Sequence, residues 1–130
     1  MESIARKSVT IAAGLTVLGM LISGTAWAAG ERTTVTGYVI DSACGFTPNL
    51  DKPISAECAV ACAKAGSALV ILADDGTVYW PIAGTMPAKG QNDRLIAHAG
   101  KRVVVTGTVY SRGGSRAMVI DKIESEPAHR

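Results

Sequence analysis

Histidine is nearly absent from these 130 residues: His98 and His129 are the only two. Hydrolytic triads and His-rich metal centres therefore have little material to build on. Charge of one sign is lacking as well. The whole chain carries a formal net charge of +2, and setting aside Glu2, Arg6 and Lys7 leaves 11 basic against 10 acidic residues. A near-neutral chain has no electrostatic case for nucleic acid or for an acidic membrane surface. Aromatic side chains make up only 5%. No Gly-rich phosphate loop, no paired acid/base carboxylates and no Ser/His/Asp set can be found, so the sequence argues against an enzyme. Twin arginines are missing from the N-terminal segment, and no cysteine stands near its end.

That segment is distinctive for what it does contain. Arg6 and Lys7 form a short basic start, and residues 8–30 carry no charge. The apolar run over 9–22 has the length of a signal-peptide core, and Ser23, Gly24 and Thr25 break its helical tendency. Ala26-Trp27-Ala28 places small residues at the −3 and −1 positions of a cleavage site. The expectation is a cleavable signal peptide over 1–28, with a cut after Ala28 and a cut after Ala29 as the alternative. An uncleaved anchor is the competing reading, because the uncharged stretch approaches the 20 or so residues a spanning helix needs. Thr16 and the Ser23-Gly24-Thr25 run dilute it. Cleavage would release residues 29–130 as a periplasmic or secreted single domain with an ordered core near 33–124.

Within that domain the pattern is mainly β. Residues 33–40, 67–73, 77–82, 101–110 and 116–123 read as strands by β-branched and aromatic content. Asp75-Gly76 is a type I′-like hairpin signal, Gly113-Gly114 a second hairpin turn, and Pro81 marks the end of the third strand. Residues 54–65 predict a short helix with Ser55 as N-cap and Gly66 as its stop. Residues 93–99 predict another, capped by Asn92 and closed by Gly100. The loop over 41–53 and the tail to Arg130 carry no regular pattern. Five strands with a helix between the third and fourth are the order of an OB-fold, a small five-stranded Greek-key barrel. Val35-Thr36-Gly37-Tyr38-Val39 echoes Val105-Thr106-Gly107-Thr108-Val109. Matched mid-strand glycines let neighbouring first and fourth strands coil around a small barrel. An open α+β sheet is the alternative.

Three cysteines remain to be explained: Cys44, Cys58 and Cys62. Export places them in an oxidising compartment, where a disulfide is the default. Cys58 and Cys62 share one face of the expected helix, but helical side-chain directions make an i,i+4 bridge awkward. Cys44 pairing with Cys58 or with Cys62 is easier, and a closed loop of roughly 15–20 residues is worth about 3 kcal/mol. A core this small gains from such a staple.

One thiol is left over, and that opens a functional reading. Cys44, Cys58 and Cys62 together form a candidate three-thiolate site for soft Cu(I) or Zn(II). Zinc would seek a fourth ligand, for which His98 is the candidate within the folded part. The Cys-x3-Cys spacing departs from the Cys-x-x-Cys redox motif, which argues against a thiol oxidoreductase. Other chemistry-bearing residues have plainer roles. His98 is read as a helix C-terminal cap, Asp41 as a turn residue, and Tyr38, Tyr79, Trp80 and Tyr110 as core and barrel-end packing.

The run Gly37-Tyr38-Val39-Ile40-Asp41-Ser42-Ala43-Cys44-Gly45, followed by Cys58-x3-Cys62 and His98-Ala99-Gly100-Lys101-Arg102-Val103-Val104-Val105-Thr106-Gly107, resembles small exported bacterial proteins of uncharacterised function. The resemblance covers about 33–123. It implies an exported OB-like domain and supplies no activity. Such relatives often carry a histidine soon after the Cys-Gly pair, where this chain has Phe46-Thr47-Pro48-Asn49. The functional expectation is a non-enzymatic binding module for a small ligand or a protein, stabilised by a disulfide. The alternative is a soft-metal or thiol-handling protein.

Overall fold

The computed structural model describes residues 29–47 and 54–127. The expected leader over 1–28, the middle of the 41–53 loop (residues 48–53) and His129 lie outside the described residues. Among the described residues, no helix is long and apolar enough to cross a membrane.

The β-branched runs form five strands: β1 (Glu31–Asp41), β2 (Leu69–Ala73), β3 (Val78–Pro81), β4 (Arg102–Arg112) and β5 (Ser115–Ser125). They close into a barrel in the order β1-β2-β3-β5-β4, with β4 pairing back onto β1. Every neighbouring pair is antiparallel except β3 and β5, which run parallel over Tyr79–Pro81 and Arg116–Met118. This is the five-stranded OB-like barrel that the element order predicts, and the open sheet is excluded. Two helices, α1 (Ala56–Lys64) and α2 (Asn92–Leu95), and a 3-10 turn (Ile96–His98) complete it.

Strand alternation builds the core. In β4, residues 103, 105, 107 and 109 face inward and their neighbours outward. Val103 and Val105 share one core with Ile71 and Leu69 of β2, Met118 of β5 and Leu95 of α2, all essentially fully buried. The two echoed glycines sit where a second strand crosses closely. A Cβ on Gly37 would lie 2.2 Å from the Leu72 carbonyl oxygen, and one on Gly107 the same distance from that of Val119. Gly107 also lies at the bulge that shifts the β4–β5 register.

Several local expectations change. The 74–76 turn is not type I′, because Gly76 (φ +83°) has the only positive φ in it. Gly76 N–H bonds the Ala73 carbonyl and Thr77 N–H bonds the Asp75 side chain, so a three-residue connection ends in a left-handed glycine. The Gly113-Gly114 turn has positive φ at both positions, the type I′ requirement. Asn92 does not cap the following helix. It is the first residue of α2, and its amide accepts from Leu69 N–H at 2.9 Å and donates to the Ser67 carbonyl at 2.7 Å. With that side chain committed to the start of β2, the expected single helix over 93–99 divides into α2 and the 3-10 turn.

Candidate functional site

Asp41, the last residue of β1, is the one charged group buried in the described fold, at 1% exposure. A buried carboxylate needs donors, and two are supplied from different directions. Cys44 N–H donates to Oδ2 at 3.2 Å, and the Ser67 hydroxyl donates to Oδ1 through a short hydrogen bond. Ser67 also donates its own N–H to the Cys62 carbonyl at 3.0 Å. An unbroken hydrogen-bonded path therefore runs from Cys62 at the end of α1, through Ser67 and Asp41, to Cys44 in the loop after β1.

The third cysteine is placed by the helix start. Ser55 caps α1 as expected, its hydroxyl accepting Cys58 N–H at 3.3 Å. A Cβ on Gly100 (φ +70°) would collide with Ala56, so the α1 start sits tightly against the turn before β4. That turn is tied to β1 by Gly100 N–H bonding the Val39 carbonyl at 2.7 Å. Ala59 and Ala63 of α1 face the barrel and are buried. Cys58 and Cys62 lie on the flank beside them, Cys58 exposed and Cys62 half-buried like Cys44.

Cys44 and Cys62 both feel their surroundings at this corner. Burial pushes the Cys44 thiol above its ordinary value, followed by the charges of Cys58 and Asp41, a hydrogen bond with Cys58 and the charge of Cys62. Burial also raises Cys62, followed by the charge of Asp41 and the hydrogen bond and charge of Cys58. Cys58 is the neighbour that both raised thiols share. Every influence on these two favours the protonated thiol, and among the described residues no cation opposes it. All three cysteines are free thiols in this structure. Among the described residues, no three Cys, His, Asp or Glu side chains already surround a common point as metal ligands do.

The other candidates lie elsewhere. His98 is the basic residue in the last turn of the 3-10 segment, where Lys101 Nζ takes the Ala97 carbonyl at 2.9 Å. The His98 Nδ1 is 2.7 Å from Ser125 Oγ on β5, and burial, then the Lys101 charge, lower its pKa. Its ring is not gathered with the cysteines as a fourth ligand. Tyr79 is core, and Tyr38 lies under the Arg102 guanidinium at 5.8 Å. Trp80 stacks on Phe46 with centroids 6.3 Å apart. Phe46 is 68% exposed and only two residues beyond Cys44, so the aromatic pair borders the thiol corner. Ser67, read from sequence as the start of a strand, is the residue that reasoning missed. No local pattern marks a serine that joins two cysteine segments 18 residues apart. Comparison with protein-family models, with curated proteins and with solved structures gave no match.

Proposed function

We propose that the chain is an exported, non-enzymatic binding module whose working site is the corner formed by Cys44, Cys58 and Cys62. The observation that carries this reading is the path Cys62–Ser67–Asp41–Cys44, which ties two thiol-bearing segments to one buried carboxylate. The ligand class is a soft cation. Thiolates select ions such as Cu(I) and Zn(II), and three sulfurs suit trigonal Cu(I) better than four-coordinate zinc. A cation answers the like charges that oppose ionisation of Cys44 and Cys62. Loading calls for the thiols to turn inward, and Cys58 is exposed enough to take another rotamer. Nucleophilic catalysis is disfavoured, because a reactive cysteine needs a lowered pKa and these two are raised.

A structural staple is the second reading: Cys58 on α1 lies near enough to Cys44 to raise its thiol, and joining the two free thiols would require their segments to move together. Thiol counting together with native mass spectrometry separates the two. The reduced protein is expected to take one equivalent of Cu(I), and the Cys44→Ser/Cys58→Ser/Cys62→Ser variant none. Equal uptake by both proteins overturns the metal reading. Export is tested by N-terminal sequencing of the accumulated product. A start at Ala29 or Gly30 is expected, and an intact leader on cytoplasmic protein overturns it.

A further inference from the structure

We infer that the outer face of β3, β5 and β4 is a binding groove for a proline-rich peptide segment in the polyproline II form, with Trp80 and Tyr110 as its ridges and Ala117 as its floor. Register places the three residues side by side. Trp80 pairs with Ala117 across the parallel β3–β5 ladder, and Ala117 pairs with Tyr110 across β5–β4. Directly paired residues share a sheet face, and their neighbours Tyr79, Met118 and Val109 are buried in the barrel, so all three point outward. Two large rings therefore flank a single methyl group. Both rings are held by other contacts. Trp80 is stacked on Phe46, with the ring planes 20° apart. Tyr110 leans toward the start of β1, where its ring lies over Gly30 and comes within 2.6 Å of where a Cβ would stand. It is still 44% exposed. Val119, two residues along β5 on the same face, extends the floor until Gly84 lies against it.

The spacing of the ridges selects the ligand. Neighbouring strands lie about 4.8 Å apart, so the Cα atoms of Trp80 and Tyr110 are separated by about 10 Å. One turn of a polyproline II helix, three residues rising about 3.1 Å each, covers about 9 Å. Prolines at i and i+3 lie on one face of that helix. One can rest on Trp80 and the next on Tyr110, while the chain between them passes over Ala117. Proline rings are apolar and their backbone is already restricted, so docking orders little that was free. The backbone carbonyls of such a segment have no internal partners. The Trp80 indole N–H and the Tyr110 hydroxyl are donors of the kind those carbonyls need. Trp80, Ala117, Tyr110 and Val119 carry no charge, which suits an uncharged segment and gives no purchase to an acidic or basic one.

The probe is an uncharged proline decamer. It is titrated into the accumulated product and read by calorimetry and by the NMR signals of the Trp80 indole and the Tyr110 ring. Saturable binding that shifts both signals is expected, and added salt should leave it unchanged because no charge takes part. Ala117→Leu fills the floor between the ridges and Tyr110→Ala removes one ridge. Each should weaken binding at least tenfold. Both side chains point outward, so the melting temperature of each variant should stay near that of the parent. Tyr110→Phe guards against misfolding as a cause: it keeps the ring and should bind more tightly than Tyr110→Ala. No binding, or binding that Ala117→Leu and Tyr110→Ala leave intact, overturns the groove. A neutral oligosaccharide that shifts the same signals where the decamer does not overturns the peptide as ligand. The groove uses none of the three thiols, so it stands or falls apart from the metal reading.

Discussion

At the scale of single residues, Asp41 has the largest consequence. Its carboxylate sits in the interior and is held by Ser67 and by the Cys44 backbone. Asp41→Ala takes a shared acceptor from the half-buried Ser67 hydroxyl and Cys44 N–H, and should cost about 1–3 kcal/mol in chemical denaturation. Asp41→Asn keeps an acceptor and should cost less. The thiols give a pH signature. Cys44 and Cys62 titrate above the ordinary 9.0 in the folded state, so the fold binds more protons than the unfolded chain in that region. Their contribution to stability is complete below that value and is lost as pH rises through the higher folded value. The melting temperature of reduced, metal-free protein should therefore fall on the alkaline side of pH 9, and Cys44→Ser/Cys62→Ser should flatten the fall.

At the scale of elements, the barrel depends on two strands that pass very close to neighbours. Gly37→Ala and Gly107→Ala each drive a methyl into backbone, which cannot rotate away as a side chain can. Each should cost about 1–3 kcal/mol or more by urea denaturation. Gly90→Ala has open space around it and ordinary φ, so it should be nearly neutral. The helix start is the other sensitive element. Ser55→Ala removes the hydroxyl that accepts Cys58 N–H, with an expected loss of about 1 kcal/mol. That substitution loosens the segment carrying Cys58, so it should weaken Cu(I) uptake without removing a sulfur.

At the scale of the whole molecule, closure relies on a short parallel pair, β3 with β5, and on side chains that bridge separate elements. Arg102 at the start of β4 grips Asp74 in the β2–β3 turn with both guanidinium nitrogens at 2.6 Å, and reaches Glu126 beyond β5 at 2.7 Å. Hydrogen bonds from Arg102 hold the Asp74 carboxyl below its ordinary 3.8 against a smaller opposing effect of burial. A lowered carboxyl stabilises the fold above its unfolded value and ceases to do so as pH falls through the folded one. Arg102→Gln should lower the melting temperature at pH 7 and reduce its further drop below pH 4. Asp74 is half exposed, so solvent and salt screen the effect. Arg94 performs a related task, covering the Ile120 and Asp121 carbonyls at 2.6 and 2.8 Å and occupying the edge of β5 beyond its pairing with β3.

Strand periodicity, turn glycines and the Ser55 cap were readable along the chain because each is a short-range signal. Alternation with period two selects a strand, and a glycine marks where φ or close approach demands it. The first and fourth strands, expected as neighbours from the barrel order, do pair, while Gly37 and Gly107 each lie against a different strand, β2 and β5. The site was readable only as residue types. The three cysteines could be named, but not the carboxylate and serine that join them, because Asp41 and Ser67 are 26 residues apart and meet only once β1 and the chain leaving α1 are side by side. The same limit applies to Asn92: a local pattern makes it a helix cap, yet the start of β2 offers an unpaired N–H and takes its side chain. Local sequence settled which elements form. Closure of the barrel decided which polar groups had to find partners across it, because burial, and with it the need for a partner, exists only in the folded chain.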